Sequence, residues 1–388
     1  MNNPKEKLIV TYIDKEDNFT GWLVINDLIY KMAAGGLRVQ KGLTLEHLYS
    51  MADNMSKKMK ICGLPISGAK AGIDYDPNSP KKYQVVEKFI KAIKPYMVSK
   101  YSMGSDLNTN TDELNKIVQK LGLSSIKVAI KTAQEFSEEE FTNREDVLLS
   151  PIFGNYKLGN IRAGYSVAMC TIALIERLGF NKSKVSIAIQ GFGVLGKGAL
   201  YGLLCKGLPV SCVSDIKQTI QRKPNMQLPL KHWIEISDTT LPIINGNEFI
   251  VGSSQDILSF KNDVLILAAI EDAITEENVD LIQAKVIISG ANLAISEKVQ
   301  EILYKRGIVV LPSFVSGAGG PMSMNAVFGP ENCPSKEDVL SYLEQKSSEI
   351  VNHVLDVSEK DKISPLQAAK KIIIESNIPI GKPYYVKN

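Results

Sequence analysis

The most constraining stretch of this chain is KVSIAIQGFGVLG, residues 184–196. An apolar strand over 185–189 runs into Gly191-Phe192-Gly193-Val194-Leu195-Gly196, and a helix is expected over 197–204. A second apolar strand, 208–213, ends at Ser214-Asp215, so an acidic residue stands 19 positions beyond the last glycine. Three spaced glycines alone are a weak signal, since an ordinary βαβ unit can turn on glycine. A strand before, a helix after and a distal acid together describe a dinucleotide-binding turn. The glycines permit the tight turn, the close approach of pyrophosphate and helix–strand packing, and the helix N-terminus faces the phosphates. In this reading Asp215 takes the adenosine ribose hydroxyls and repels a 2′-phosphate, which favours NAD. Lys217, Arg222 and Lys223 follow closely and keep NADP as the alternative.

The downstream chain extends a parallel sheet. Residues 263–269, 285–289 and 307–311 are near-continuous apolar runs, as strands buried on both faces require. They end in Ala268-Ala269, in Gly290-Ala291-Asn292 and in a polar stretch from Pro312. Ligands of doubly wound sheets lie at such carboxyl ends. Residues 315–324, VSGAGGPMSM, read as a glycine-dense loop, and 335–376 as amphipathic helix with Val339, Leu343, Ile350 and Val354 on its apolar face.

The first half has a different pattern. Strands are expected over 8–14 and 21–29, and helices from the N-cap Thr44, over 82–96 and over 112–121. Gly35-Gly36 permits close backbone approach. Lys58 ends the first of these helices, and Lys70 sits twelve residues later in PISGAKAG, read as a loop of small residues. A lysine among such neighbours loses hydration, so its pKa is expected to fall and it becomes usable as an acid or base. Lys58 could clamp a carboxylate. On spacing alone, Lys57, Lys58 and Lys60 also fit a solvated lysine face. Asp106, among small polar residues, fits either an Asx turn or N-cap before the next helix or a functional carboxylate. Residues 127–160 read as a charged, exposed, loop-like connection into the second domain.

Composition excludes several classes. Of the 388 residues 44% are hydrophobic and 22% charged, and the net charge of +3 leaves no electrostatic footprint for nucleic acid. No apolar run approaches the length of a membrane span, and MNNPKEKLIV lacks the apolar segment of a secretory signal, so a cytoplasmic location is expected. Five scattered cysteines without a CxxC fit reduced thiols, and three distant histidines suggest no metal cluster.

With both halves in view, the chain resembles the glutamate/leucine/phenylalanine/valine dehydrogenase family over about residues 21–326, most like its leucine and phenylalanine branch. The resemblance rests on Gly35-Gly36-Leu37-Arg38, on Lys58, Lys70 and Asp106 in order, on the glycine fingerprint, on Gly290-Ala291-Asn292 and on Gly317-Ala318-Gly319-Gly320. It implies an α/β chain with a catalytic domain over 1–150, a Rossmann-type NAD-binding domain over 151–334, a cleft between them, and C-terminal helices within 335–388 packing back on the first domain. It also implies reversible oxidative deamination, in which an L-amino acid, NAD and water give a 2-oxo acid, ammonia and NADH, by a homo-oligomer. Lys70 and Asp106 fall on the catalytic lysine and aspartate, and Lys58 on the lysine that binds the α-carboxylate. Gly35 and Gly36 would line the substrate. Gly191 to Gly196, Asp215, Ala268, Ala269 and Asn292 would hold the cofactor.

The pocket positions are informative. Glutamate dehydrogenases place a lysine where this chain has Ala34, and leucine-preferring relatives tend to have alanine where it has Gly104. Met324 matches another pocket position. Together they suggest a roomy apolar pocket for a large or aromatic side chain. The departures are Ser67 for a glycine, Ala163 for a threonine, Gly317 for an asparagine and Pro321 for a valine, and they mark a divergent member, one that fits specialised metabolism. Two other readings stay open: a reductase of 2-oxo acids that uses no free ammonia, and a silent nucleotide- or amino-acid-binding protein.

Overall fold

The computed structural model describes residues 6–236, 238–244 and 248–386. They form two compact units, one of 1–142 with 376–388 and one of 143–375.

The first unit contains β1 (Leu8–Asp14), β2 (Phe19–Ile25), β3 (Met32–Val39), α1 (Leu45–Ile61), β4 (Ile66–Asp74), α2 (Lys82–Met97), β5 (Tyr101–Ser105), α3 (Thr111–Lys120) and α4 (Val128–Gln134). Its sheet runs in the order β1-β2-β4-β3-β5. β3 pairs in parallel with β4 and β5, while β1 and β2 are antiparallel additions. One sheet face packs on α2 through Leu37, Ala69, Ala71, Phe89 and Ile93.

Lys70 was expected in a loop, but it stands in the middle of β4. The small residues that suggested a loop have another purpose. A Cβ at Gly68 would lie 2.1 Å from the Ser56 nitrogen, and one at Gly72 would lie 2.5 Å from Leu43. Bare backbone at these points lets α1 lie directly on the strand. Thr44 caps α1 as expected, its hydroxyl accepting from the His47 N–H at 3.2 Å. Asn110, not Asp106, caps α3.

The chain continues with α5 (Glu138–Val147), in which the division between units falls, then β6 (Pro151–Phe153), β7 (Tyr156–Lys157), α6 (Leu158–Arg177), β8 (Ile187–Gln190), α7 (Val194–Cys205), β9 (Val210–Ser214), β10 (Gln218–Arg222), α8 (Leu230–Glu235), β11 (Phe249–Ser253), β12 (Val264–Leu267), β13 (Val286–Ser289), α9 (Glu297–Lys305), β14 (Val309–Leu311), α10 (Ser313–Ser316), α11 (Gly319–Phe328), α12 (Lys336–Asp361) and α13 (Pro365–Glu375). The sheet order is β11-β10-β9-β8-β12-β13-β14. The five strands from β9 to β14 across β8 are parallel, and β10 and β11 extend the edge antiparallel. The chain leaves β8 toward β9 and later returns beside β8 as β12, which puts the switch point at β8.

Three expectations are corrected here. The 127–160 connection is not a loop: it holds α4, α5 and the β6–β7 hairpin. Arg144 on α5 is buried and donates to the carbonyls of Val327, Pro330 and Glu331 at 2.7, 2.9 and 2.9 Å, satisfying the end of α11. The glycine-dense 315–324 is also helical, in α10 and α11, because Gly319 lies so close to Ser166 on α6 that a Cβ would approach it to 2.5 Å. Finally, α12 and α13 do not belong to the first unit. They pack on α6, α11, α9 and β14 within the second, and only 376–388 joins the first. α6 is long and apolar enough to cross a membrane by composition, yet it is mostly buried among these helices.

Gly35 tests the sheet most sharply, since a Cβ there would stand 1.7 Å from the Ala69 carbonyl oxygen. Gly35→Ala is expected to cost about 3 kcal/mol or more, the upper end for overpacking, read as a lower urea midpoint with unchanged slope.

Candidate active site

Residues opposite one another in a sheet share a face. Ala34 pairs with Gly68 and Ser102, and Gly36 pairs with Gly104. By alternation Arg38, Lys70 and Asp106 point the same way. This is the face against which α1 lies, through Gly68 and Gly72. Glycines therefore carpet the surface from which the charged groups rise. A Cβ at Gly36 would meet the Asp106 Cβ at 2.9 Å, so Gly36 makes room for that carboxylate. A Cβ at Gly104 would meet nothing within 4 Å, so space stands open above it.

Lys70 forms an ion pair with Asp106 Oδ2, and the Arg38 Nε reaches the same oxygen at 3.3 Å. The lysine and arginine are buried, and the carboxylate keeps a side-chain exposure of 19%. Burial pushes the Asp106 carboxyl up, but the charges of Lys70 and Arg38 outweigh it and hold the group well below the usual carboxylate range. The turn after β5 is fastened to β3: the Asp106 N–H donates to Thr109 Oγ1 at 2.9 Å, and that hydroxyl donates to the Leu37 carbonyl at 2.8 Å.

Lys58 sits in the last turn of α1, buried. Burial, then the like charge of Lys70, pushes its pKa down to about 8, and Asp106 opposes the fall. The solvated lysine face is thereby corrected for Lys58, although Lys57 does pair at the surface with Asp53 at 3.0 Å. Ser67, the departure from glycine, is buried and donates to Asp27 Oδ1 at 2.7 Å, which satisfies a buried carboxylate.

The second unit carries the glycine turn at the carboxyl end of β8. Gly191 has a φ of +106°, which only glycine adopts readily. A Cβ at Gly196 would lie 1.9 Å from the Gly191 carbonyl oxygen. Gly193, the N-cap of α7, faces open space, where a side chain would fill the approach to the helix N-terminus. Gln190 Oε1, Ser214 Oγ and Ser289 Oγ, at the carboxyl ends of β8, β9 and β13, are buried without a hydrogen-bond partner. Open space at Gly193 and unsatisfied polar atoms at three strand ends fit a dinucleotide there. Ala268, Ala269 and Asn292 follow β12 and β13 at the same sheet edge. Val194 is exposed and Leu195 half-buried, both in the first turn of α7.

Two cofactor assignments change in detail. The Phe192 ring is buried, with the Lys197 ammonium 4.7 Å from its centroid, so it serves packing and leaves only backbone for a ligand. Asp215 is already engaged: its Oδ1 accepts from the Lys217 and Gln218 N–H groups at 2.7 and 2.8 Å, and its Oδ2 accepts from the Leu241 N–H. A carboxylate offers about four acceptor sites, so about one remains for a ribose hydroxyl.

The patterns that define a known family cover most of the chain. The Glutamate/Leucine/Phenylalanine/Valine dehydrogenase pattern matches residues 157–376, and the Glu/Leu/Phe/Val dehydrogenase, dimerisation domain pattern matches residues 5–122. The chain belongs to this family. As such it is an amino acid dehydrogenase, an oxidoreductase acting on CH–NH2. It is 25% identical to the glutamate dehydrogenase of Thermotoga maritima over 97% of this chain and 90% of the relative. It is 27% identical to the NADP(+)-dependent glutamate dehydrogenase of Pyrobaculum calidifontis over 82% and 76%. Relatives named NAD-specific and NADP-specific both match, so a nicotinamide cofactor is supported and the choice between the two is not. Among solved structures, the hetero-hexameric glutamate dehydrogenase from Thermus thermophilus in its leucine-bound form superposes with a TM-score of 0.76, at 20% identity, over 96% of this chain and 88% of that one.

The structure of the dehydrogenase gathers Lys58, Lys70, Asp106, Gly35, Gly36, Ala34 and Gly104 in the first unit, and it places Met324 on α11 of the second. Sequence reasoning missed two residues. Arg38 was noted only as the end of a glycine motif, although alternation along a strand places it on the face of Ala34 and Gly36. Lys197, buried in the first turn of α7, donates to the carbonyls of Asp238, at 2.7 Å, and Ile236, tying that segment to the glycine turn. A lysine within an otherwise apolar helix was the available signal. Among the described residues Asp14, Glu16 and Asp17 could converge on a cation, but Lys81 and Lys88 already pair with them.

Lys58 gives a pH dependence. Its charge is present below about pH 8 and is lost above it. An unreactive carboxylate ligand that pairs with it should bind with constant affinity on the acid side. Its Kd should rise by up to about tenfold per pH unit on the alkaline side. Isothermal titration across pH 6.5–10 measures this, and Lys58→Met should flatten the profile.

Proposed function

We propose that this dehydrogenase catalyses NAD-dependent, reversible oxidative deamination of an apolar L-amino acid with a large or aromatic side chain, giving the 2-oxo acid and ammonia. The observation that carries the reading is the convergence of Lys58, Lys70 and Asp106 on a face lined by Ala34 and glycines, with open space at Gly104. Lys58 would hold the α-carboxylate and fix the α-carbon. Asp106 would take a proton from the substrate amino group. Lys70 would then position and activate water and stabilise the oxyanion as the amino group leaves. Its ion pair with Asp106 lets a proton pass between the two. The bound nicotinamide would supply the hydride acceptor. Gly191 and Gly193 would admit the pyrophosphate, and Asp215 would set a negative charge against a 2′-phosphate, which favours NAD. The names of the relatives point toward glutamate, but Ala34 offers no charge to a γ-carboxylate and Lys31 is exposed. The dimerisation-domain pattern supports an oligomer, which would be a homo-oligomer, and a cytoplasmic location would suit it.

The test follows NADH absorbance with ammonium and a panel of 2-oxo acids, repeated with NADPH. Ammonium-dependent oxidation, fastest with aromatic oxo acids, is expected. Oxidation without ammonium would replace this reading by a simple reductase, and a preference for 2-oxoglutarate would overturn the pocket assignment. Lys70→Ala should lower kcat by about 10²–10⁴, the range for losing acid–base catalysis, with NADH binding retained.

Gly104→Leu separates pocket from fold. An added Cβ there meets no atom within 4 Å, so the melting temperature should change little. kcat/KM for the aromatic substrate should fall at least about tenfold relative to a small one, the scale of a lost hydrophobic pocket.

A further inference from the structure

We propose that Arg38 is the positioning residue of the site: with Lys70 it grips a single oxygen of Asp106 and so presents the other oxygen, Oδ1, for proton transfer.

The geometry supports this in three ways. First, Arg38 Nε and Lys70 Nζ both reach Oδ2, and Oδ1 lies outside both ion pairs. Two cations from neighbouring strands, with a hydrogen bond from the Leu107 backbone N–H, hold the carboxylate. Second, the guanidinium is itself oriented, since Arg38 Nη1 donates to Gln40 Oε1 at 3.1 Å. Third, β3 and the Asp106 turn are stitched together: the Asn108 side chain donates to the Val39 carbonyl at 2.9 Å, and the Val39 N–H donates to the Leu107 carbonyl at 3.1 Å. The arginine and the carboxylate therefore move as one body.

A chemical reason follows, resting on the deamination reading. When Lys70 turns to water or to the developing oxyanion, its hold on Asp106 loosens. A partly buried carboxylate left without a cation would take up a proton and cease to be a base. Arg38, which has no part in the proton transfer, supplies a second cation on the same oxygen. The charged and titratable groups around Asp106 are Arg38 from β3, Lys70 from β4, Lys58 from α1 and Tyr101 on its own strand.

The experiment compares Arg38→Gln with Arg38→Lys. The Asp106 carboxyl carbon is followed by 13C NMR of the intact, labelled protein, and kcat is followed against pH. Arg38→Gln should raise the pH at which Asp106 titrates by at least one unit. It should move the acid limb of kcat upward by a similar amount and lower kcat at least about tenfold at neutral pH, with KM for the amino acid changed less than threefold. Arg38→Lys should return the titration most of the way toward the parent, because charge and reach are largely kept. If Arg38→Gln fails to fold, Gln40→Leu should produce a smaller shift in the same direction. An unmoved Asp106 titration in a folded Arg38→Gln or Gln40→Leu protein overturns the proposal, as does a kcat loss that Arg38→Lys does not relieve. The NMR titration needs no substrate, so failure of the deamination reading would show as absent turnover beside a normal Asp106 shift.

Discussion

The first unit depends on how closely α1 can lie against β4. Gly68 and Gly72 remove the side chains that would keep helix and strand apart, and Ser56 stands where a Cβ of residue 68 would be. That contact delivers Lys58 from the helix to the surface from which Lys70 rises. It also buries both lysines, and burial gives their charges their strength. In water such groups attract weakly. Behind a helix they interact at lower effective dielectric, and each ion requires its partner. The ion pairs of Asp106, the depressed pKa of Lys58 and the open floor at Gly104 all follow from small residues on one sheet face.

The second unit uses glycine for a different end. Gly191 needs a backbone conformation closed to other residues, and Gly196 needs to touch the Gly191 carbonyl. Around this turn the protein spends side chains on its own loops. Asp215 binds three main-chain N–H groups, and Lys197 holds two carbonyls of the segment that donates to Asp215 through Leu241. The acid that sequence motifs assign to a ribose is thus also the keystone of a hairpin. Its charge and its architecture are not separable by one substitution.

Much of this was legible in advance, for physical reasons. The strand–turn–helix at 187–205 was clear because its signals are local: apolar runs, glycines at fixed spacing and a helix start. The same holds for the cap at Thr44 and the long C-terminal helices. The misreadings share a cause. Residues 66–74 and 313–328 are rich in small residues, which local rules assign to loops. Both are regular elements whose small residues admit a neighbour, α1 in one case and α6 in the other. The charged stretch at 138–147 looked solvated, yet Arg144 turns inward and supplies donors to the end of α11. No local pattern announces a distant carbonyl.

The sequence by itself determined the family, the paired lysines with their aspartate, and the nucleotide turn, because each is written in residue type and spacing along a few dozen positions. Tertiary structure alone decided which groups meet. Register across β4, β3 and β5 put Arg38 beside Asp106, and two cations on a single carboxylate oxygen are a property of three strands together. Strand pairing brings Arg38 and Lys70 each to the same oxygen of Asp106. The linear chain carries no term for that distance until the sheet has formed.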